Sequence, residues 1–234
     1  MLGDLARRFA NLAFGGSCFL CRGLADDGPL CAQCDAELPR LAAAACPRCA
    51  LATPGGAVCG RCLVHPPAYD ATVAALAYAF PADVLVHALK FRSELALAPL
   101  LAQLLVERLP RGARADFLLP VPLSAARLRS RGFNQALEIG RHVAAATGCA
   151  LAPQLAERSR DTPAQIGLSH AERAKNVRGA FRCAQRLERA EVALIDDVMT
   201  TGATLDELAA TVKRAGAARV VNWVVARTAP PGDA

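Results

Sequence analysis

Aromatic residues are scarce: eight Phe, two Tyr and one Trp make up 5% of the 234 residues. Base stacking on aromatic side chains is the common route to single-stranded nucleic acid, so little is available for it here. Long apolar runs are missing as well. None approaches the roughly 18–20 residues that a bilayer-spanning helix needs, so the chain is expected not to be transmembrane. Met1 to Ser17 carries Asp4, Arg7 and Arg8 among Leu5, Phe9, Leu12 and Ala13. That pattern is amphipathic and lacks the uninterrupted apolar core of a signal peptide. It reads as a short helix packing on its own protein, with a membrane-surface helix as the alternative, and the chain is read as cytoplasmic. With 53% hydrophobic and 21% charged residues, disorder is also excluded. The length suits one ordinary domain plus a small module.

Cysteine, by contrast, is abundant, with ten residues. Without a secretory signal they point to metal rather than disulfides. Eight form four CxxC pairs: Cys18/Cys21, Cys31/Cys34, Cys46/Cys49 and Cys59/Cys62. Each half reads C-x2-C-x9-C-x2-C, and the second lies 28 residues after the first at all four positions. Tetrahedral thiolate coordination takes four sulfurs, and each CxxC hairpin supplies two. The duplication therefore predicts two structural Zn²⁺ ions in two zinc ribbons. The repeat favours sequential pairing, four consecutive cysteines to each ion, over a cross-braced arrangement. Cys149 and Cys183 read as small apolar residues. Gly and Pro punctuate this module, Leu38 to Ala45 is Ala-rich and reads as a joining helix, and Pro66-Pro67 reads as a stiff boundary. Domains are accordingly expected at 1–66 and 67–234.

Net charge is +6, unevenly spread. From Arg108 to Arg186 there are fourteen Arg/Lys against five Asp/Glu, whereas residues 1–65 hold six against five. A basic middle third favours an anionic ligand, pyrophosphate or nucleic acid. Beyond residue 67, strands are expected at Thr72–Phe80, Phe117–Pro122, Leu151–Ala156, Val192–Ile195 and Val220–Ala226. Helices are expected at Val84–Phe91, at Leu95–Leu109 with a split near Pro99, at Asn134–Thr147 and at Leu205–Ala215. Alternating strands and helices predict an α/β fold with a mostly parallel sheet and flanking helices. Ligands then bind at the carboxyl ends of the strands.

The most informative stretch is Val192 to Thr204, VALIDDVMTTGAT. An apolar strand run ends in Asp196 and Asp197, and Thr200, Thr201, Gly202, Ala203 and Thr204 lead into a helix. A helix N-terminus offers backbone N–H groups and partial positive charge to a phosphate. Thr hydroxyls add donors, and Gly202 admits close approach. The carboxylates can accept from a vicinal diol or hold Mg²⁺. The plain alternative is a strand end followed by an ordinary helix cap. Two further segments carry chemistry. Pro120–Ser124 with Arg127, Arg129 and Arg131 is a strand-end loop beside arginines, able to cradle pyrophosphate through Val121, Pro122 and Arg131. Arg158 to Gly179 is long, polar and without period, and Arg160, Arg173, Lys175 and Arg178 could close over a bound pyrophosphate, with Gln165 a directed amide; the alternative is a mobile surface loop. Lys90, in His87–Phe91, reads equally as a phosphate contact or a helix-surface residue.

VALIDDVMTTGAT closely resembles the phosphoribosyl pyrophosphate (PRPP) signature of type I phosphoribosyltransferases. That resemblance implies a ribose diol on Asp196 and Asp197, a 5-phosphate in the Thr200–Thr204 loop, and Mg²⁺ bound with PRPP. Together with the four CxxC pairs, HALKF, PVPLSAARLRSRGFNQA and RDTPAQIGLSHAERAKNVRGAF, the chain is similar to the ComF family over nearly its whole length. The resemblance implies a double zinc ribbon ahead of a type I phosphoribosyltransferase-like domain. It also implies a link to natural competence, with single-stranded DNA and, through the zinc module, competence-machinery proteins as partners, and a peripheral position at the inner membrane. One departure stands out. Hypoxanthine-guanine enzymes carry a carboxylate where this chain has Thr200. Orotate-type enzymes have Thr there and use a loop Lys, for which Lys175 is the catalytic candidate. The expected function is a PRPP-binding accessory factor for uptake of transforming single-stranded DNA. The alternatives are an active phosphoribosyltransferase with an unidentified nitrogen acceptor and a non-catalytic PRPP-sensing regulator.

Overall fold

Val192–Ile195 is apolar at every position, as a strand covered on both faces must be. The computed structural model describes residues 16–25, 28–160 and 175–229. Its strands, in chain order, are β1 (Ala71–Ala77), β2 (Phe117–Pro120), β3 (Ala150–Leu151), β4 (Ala156–Arg158), β5 (Phe181–Cys183), β6 (Glu191–Met199) and β7 (Arg219–Arg227). Five of them form a parallel sheet in the order β1-β7-β6-β2-β3, while β4 and β5 make a separate antiparallel pair. The expected mostly parallel sheet with flanking helices is what is found.

Side chains alternate across this sheet. Ala193 and Ile195 of β6 share one core with Trp223 and Val225 of β7. Val192 and Leu194 face the other side, with Val220 and Val224. Two short helices belong to the cysteine-rich segment, α1 (Ala32–Ala36) and α2 (Gly60–Val64). The first face of the sheet is covered by α3 (Ala82–Arg92), α4 (Ala98–Arg108) and α6 (Gln135–Thr147), through Leu85, Leu89, Leu101, Leu105, Ile139 and Val143. A short helix of about two turns, α5 (Ala125–Arg131), precedes α6. The second face is covered by α7 (Ala203–Arg214) through Leu205, Leu208 and Val212, with Phe181 of β5 beside it. Each fully buried Leu or Ile contributes about 1.5–3 kcal/mol.

The cysteine-rich segment divides between the two faces. Cys18, Phe19, Leu30 and Cys34 join the first core, whereas Cys46, Cys49, Cys62 and Tyr69 join the second. The segment between them is not the expected helix. The first part of Leu38–Ala45, Pro39 to Leu41, runs along β1, where the Ala77 N–H donates to Pro39 O at 2.7 Å and the Leu41 N–H to Ala75 O at 3.0 Å, and Ala45 forms a bridge with Ala52 of the second ribbon instead. An edge strand presents unpaired backbone groups, and this segment satisfies part of the β1 edge.

Three further boundaries differ from the sequence reading. β6 does not end at the acidic pair but continues to Met199, because β7 keeps pairing with it through Asp196↔Val224 and Met199↔Arg227. The single strand expected at Leu151–Ala156 is split, with a 3-10 turn at Pro153–Leu155 between β3 and β4. Pro153 has no N–H to give to a ladder. Finally, α7 starts two residues early, at Ala203, with Gly202 in the N-cap position. The split near Pro99 appears as a 3-10 turn, Leu95–Leu97, followed by α4, whose first turn accepts the proline. Most of Met1–Ser17 lies outside the described residues, as do Gln165 and Arg173. No helix among the described residues is long and apolar enough to cross a membrane.

Candidate functional site

The carboxyl ends of β2 and β6 open onto one cavity of about 550 Å³. From the β6 side it is lined by Asp196, Asp197, Thr200, Gly202, Ala203 and Thr204. The β2 side contributes Val121 and Pro122, and Arg127 and Arg131 come from α5. Gly202 holds φ +82°, a left-handed conformation that turns the chain from β6 into α7. A Cβ at this position would come within 2.7 Å of Met199 Cε and 3.0 Å of Tyr69 Oη. With no side chain at its N-cap, α7 presents its N-terminus to the cavity. Thr201 does not line the space. Its hydroxyl accepts from the Ala203 N–H at 3.3 Å, and its carbonyl accepts from Arg61 at 2.8 Å.

Opposite α7, a second helix start faces the cavity. Asn134 caps α6, accepting from the N–H groups of Ala136 and Leu137, while its Nδ2 donates to Val121 O at 3.1 Å. This one side chain fixes both the helix start and the β2 exit loop. The next residue, Gln135, is 2% exposed, lines the cavity, and has no hydrogen-bond partner for Nε2 among the described residues. A buried amide donor without an acceptor is costly unless a ligand supplies one.

The electrostatics centre on the acidic pair. Lys90 of α3 reaches Asp197 with Nζ at 2.9 Å from Oδ2 and 3.1 Å from Oδ1. Burial pulls the ammonium down, but Asp197 and then Asp196 more than offset this and hold Lys90 above its ordinary value. Asp196 is pushed up to about 7, first by burial and then by the charge of Asp197, against the opposing pull of Lys90. Arg131 is lowered chiefly by burial and stacks its guanidinium 5.4 Å from the centre of the Phe91 ring. The cavity thus gathers two carboxylates, one of them paired directly with Lys90, together with Arg127 and Arg131 in one lining.

The basic segment contributes differently from the sequence reading. Arg160 is exposed and donates to the carbonyls of Asn176 and Arg178, and Lys175 is exposed; neither lines the cavity. Arg158, at the start of that segment, does line it. So do Phe91 and Tyr78, which the sequence did not single out, Lys90, which it left open between phosphate contact and helix surface, and Gln135, at the end of the Pro120–Gln135 constellation.

The cysteines gather in two sets, Cys18/Cys21/Cys31/Cys34 and Cys46/Cys49/Cys59/Cys62, with Sγ atoms within 4.8 Å of one another in each. Pairing is therefore sequential. A tetrahedron of ~2.3 Å Zn–S bonds has edges of about 3.8 Å. Cys21 and Cys31 Sγ are 3.8 Å apart and Cys49 and Cys59 Sγ 3.6 Å, so both sets fit structural zinc. Burial pushes the Cys18 and Cys46 thiols up, but backbone N–H donors outweigh it and bring them down to about 6 and about 7. The Cys59 N–H approaches Cys46 Sγ at 3.3 Å. Such donors stabilise thiolate, the form that binds metal.

Comparison with known proteins places this architecture. The double zinc ribbon domain family matches residues 9–63. DNA utilization protein YhgH of Salmonella typhimurium is 36% identical, over 93% of this chain and 99% of its own. YhgH of Escherichia coli K12 gives the same figures. Competence protein F of Haemophilus influenzae is 28% identical, over 93% of both chains. Two solved structures are more distantly similar. The allosteric regulatory enzyme of purine biosynthesis has 22% identity and a TM-score of 0.36, over 54% of this chain and 25% of its own. Leishmania donovani UMP synthase has 18% identity and a TM-score of 0.34, over 58% of this chain and 23% of its own. The chain thus spans about a quarter of each of those two enzymes. End-to-end identity with the YhgH proteins, the match to competence protein F and the two cysteine sets together mean that the chain belongs to the ComF family.

Proposed function

We propose that the cavity binds PRPP and that the protein is a PRPP-binding accessory factor for uptake of transforming single-stranded DNA. The observation that carries the first half is the gathering, around one cavity, of Asp196 and Asp197, the Gly202-initiated start of α7, and Arg127 and Arg131. In this reading the ribose diol donates to the carboxylates, the 5-phosphate accepts from backbone N–H groups of the Thr200–Thr204 turn, and the arginines face the pyrophosphate. Asp196 and Asp197 would hold Mg²⁺, which neutralises pyrophosphate charge when bound with PRPP. The second half is carried by relatives named for DNA utilization and competence.

Calorimetric titration with PRPP and Mg²⁺ tests the ligand. Saturable binding in the wild type, weakened at least tenfold in Asp196→Asn/Asp197→Asn, is the expected result. Absence of binding in the wild type removes the reading. A gel shift with single-stranded DNA over a salt series tests the partner, since contacts from Lys and Arg to phosphate weaken steeply with salt.

The second reading is an active phosphoribosyltransferase, and the unpartnered Gln135 amide favours it, because an acceptor with a carbonyl or ring nitrogen would satisfy that donor. Pyrophosphate release from PRPP across a panel of bases and amines discriminates the two. Acceptor-dependent release supports transfer, and none in the wild type leaves binding without turnover.

A further inference from the structure

Arg227, the last residue of β7, is 4% exposed. Its guanidinium is spent on backbone carbonyls of two separate regions. Nε donates to Cys49 O at 2.8 Å, inside the second ribbon. Nη1 donates to Met199 O at 3.0 Å and to Thr200 O, at the start of the Thr200–Thr204 loop, and also to the adjacent Thr228 O at 2.8 Å. A buried guanidinium needs compensating negative charge nearby as well as acceptors. With Zn²⁺ bound, the four thiolates of the second set, Cys49 among them, would carry a net charge of −2. Ribbon, arginine and loop are therefore linked by charge as well as by hydrogen bonds.

Two other contacts run the same way. Arg61, between Cys59 and Cys62, donates to Thr201 O at 2.8 Å. Tyr69, just past the second ribbon and in one core with its Cys46, Cys49 and Cys62, packs against Gly202, and the neighbouring Ala68 N–H donates to Asp206 of α7 at 2.6 Å. The first ribbon has a different position: Cys18 and Cys34 lie in the core on the opposite face of the sheet.

We infer that Arg227 is a positioning residue that ties the Thr200–Thr204 loop to the second zinc ribbon, so that metal in the second cysteine set, and not in the first, governs the order of the loop and its affinity for anion. The affinity arm of this inference rests on the PRPP reading; the loop-order arm does not.

The experiment is amide hydrogen exchange on full-length, zinc-loaded protein, read at residues 199–205, alongside PRPP titration in the presence of Mg²⁺. Four variants are compared with wild type: Cys59→Ser in the second set, Cys21→Ser in the first, Arg227→Lys and Arg61→Ala. Cys59→Ser and Arg227→Lys are expected to speed exchange in that segment at least tenfold and to weaken PRPP binding by a similar factor. Arg61→Ala, at an exposed site, is expected to do so by two- to fivefold, and Cys21→Ser to leave the segment at wild-type exchange. Equal acceleration in Cys21→Ser and Cys59→Ser overturns the inference, as does wild-type exchange in Arg227→Lys. If Cys59→Ser does not fold, Arg227→Lys and Arg61→Ala decide alone. If wild type binds no PRPP, the functional reading fails while hydrogen exchange still tests the tether.

Discussion

Asp196 illustrates how a site residue weakens the fold that carries it. An isolated carboxyl ionises near 3.8, and burial beside Asp197 moves Asp196 up to about 7. Between those values the folded chain holds a proton that the unfolded chain has lost, so the contribution of this group to stability falls as pH rises from about 4 to about 7. Asp196→Asn cannot ionise. It is therefore expected to melt close to wild type at about pH 4 and several degrees higher at about pH 8, where ~1 kcal/mol corresponds to roughly 2–4 °C for a chain of this size. Thermal melts across that range check it, and a pH-independent difference contradicts it. Gly202→Ala is the complementary test. At φ +82° and with Met199 and Tyr69 in the way, it is expected to cost about 1–2 kcal/mol and to weaken phosphate binding at least tenfold. The pair Asp196-Asp197 and Gly202 were legible because the motif is contiguous. Lys90 was not, since a helix-surface lysine and one bound to a carboxylate 107 positions away look alike in sequence.

Among the elements, α6 depends most on a single polar side chain. Asn134 caps it and also holds Val121 O. Asn134→Ala is expected to destabilise the chain by about 1–2 kcal/mol, at the upper end of cap losses because two regions are released. Denaturant titration reads the cost, and a change under 0.5 kcal/mol would mean that the cap is replaceable. Helix positions were readable from apolar period and from the glycines at their ends, as with Gly148, which closes α6 at φ +74°. Strand ends were less so. β6 passes through two aspartates because its partner β7 is apolar there, and that partner lies across the sheet rather than along the chain. Leu38–Ala45 misled for a related reason: alanine favours helix locally, but the edge of β1 takes Pro39 to Leu41, and the alanines after it bond to Arg108 and to the Ala52–Thr53 segment.

At the scale of the whole molecule, the ribbons are built into the domain rather than strung ahead of it, since each shares a core with one face of the sheet. Metal analysis is expected to return two zinc ions per chain, and chelation to lower the melting temperature. The fluorescence of Trp223, 2% exposed at the sheet centre, provides the signal. Loss of both ions without any change in melting would contradict a structural role for the ribbons. The duplication was plain in the cysteine spacing; the division of the two copies between opposite faces was not, because nothing in the repeat encodes which side of a distant sheet each will meet.

The position of β7 has a consequence for how the molecule is made. It lies between β1 and β6 although it is the last described strand in sequence. As the chain leaves the ribosome, β1 and β6 both wait for a neighbour that emerges last, and Arg227 arrives at its very end. The sheet cannot close between β1 and β6 until β7 has been synthesised, so folding is governed by distant pairings, which slow it. A nascent chain stalled before Arg219 is expected to remain protease-sensitive, however well its cysteines have already found metal.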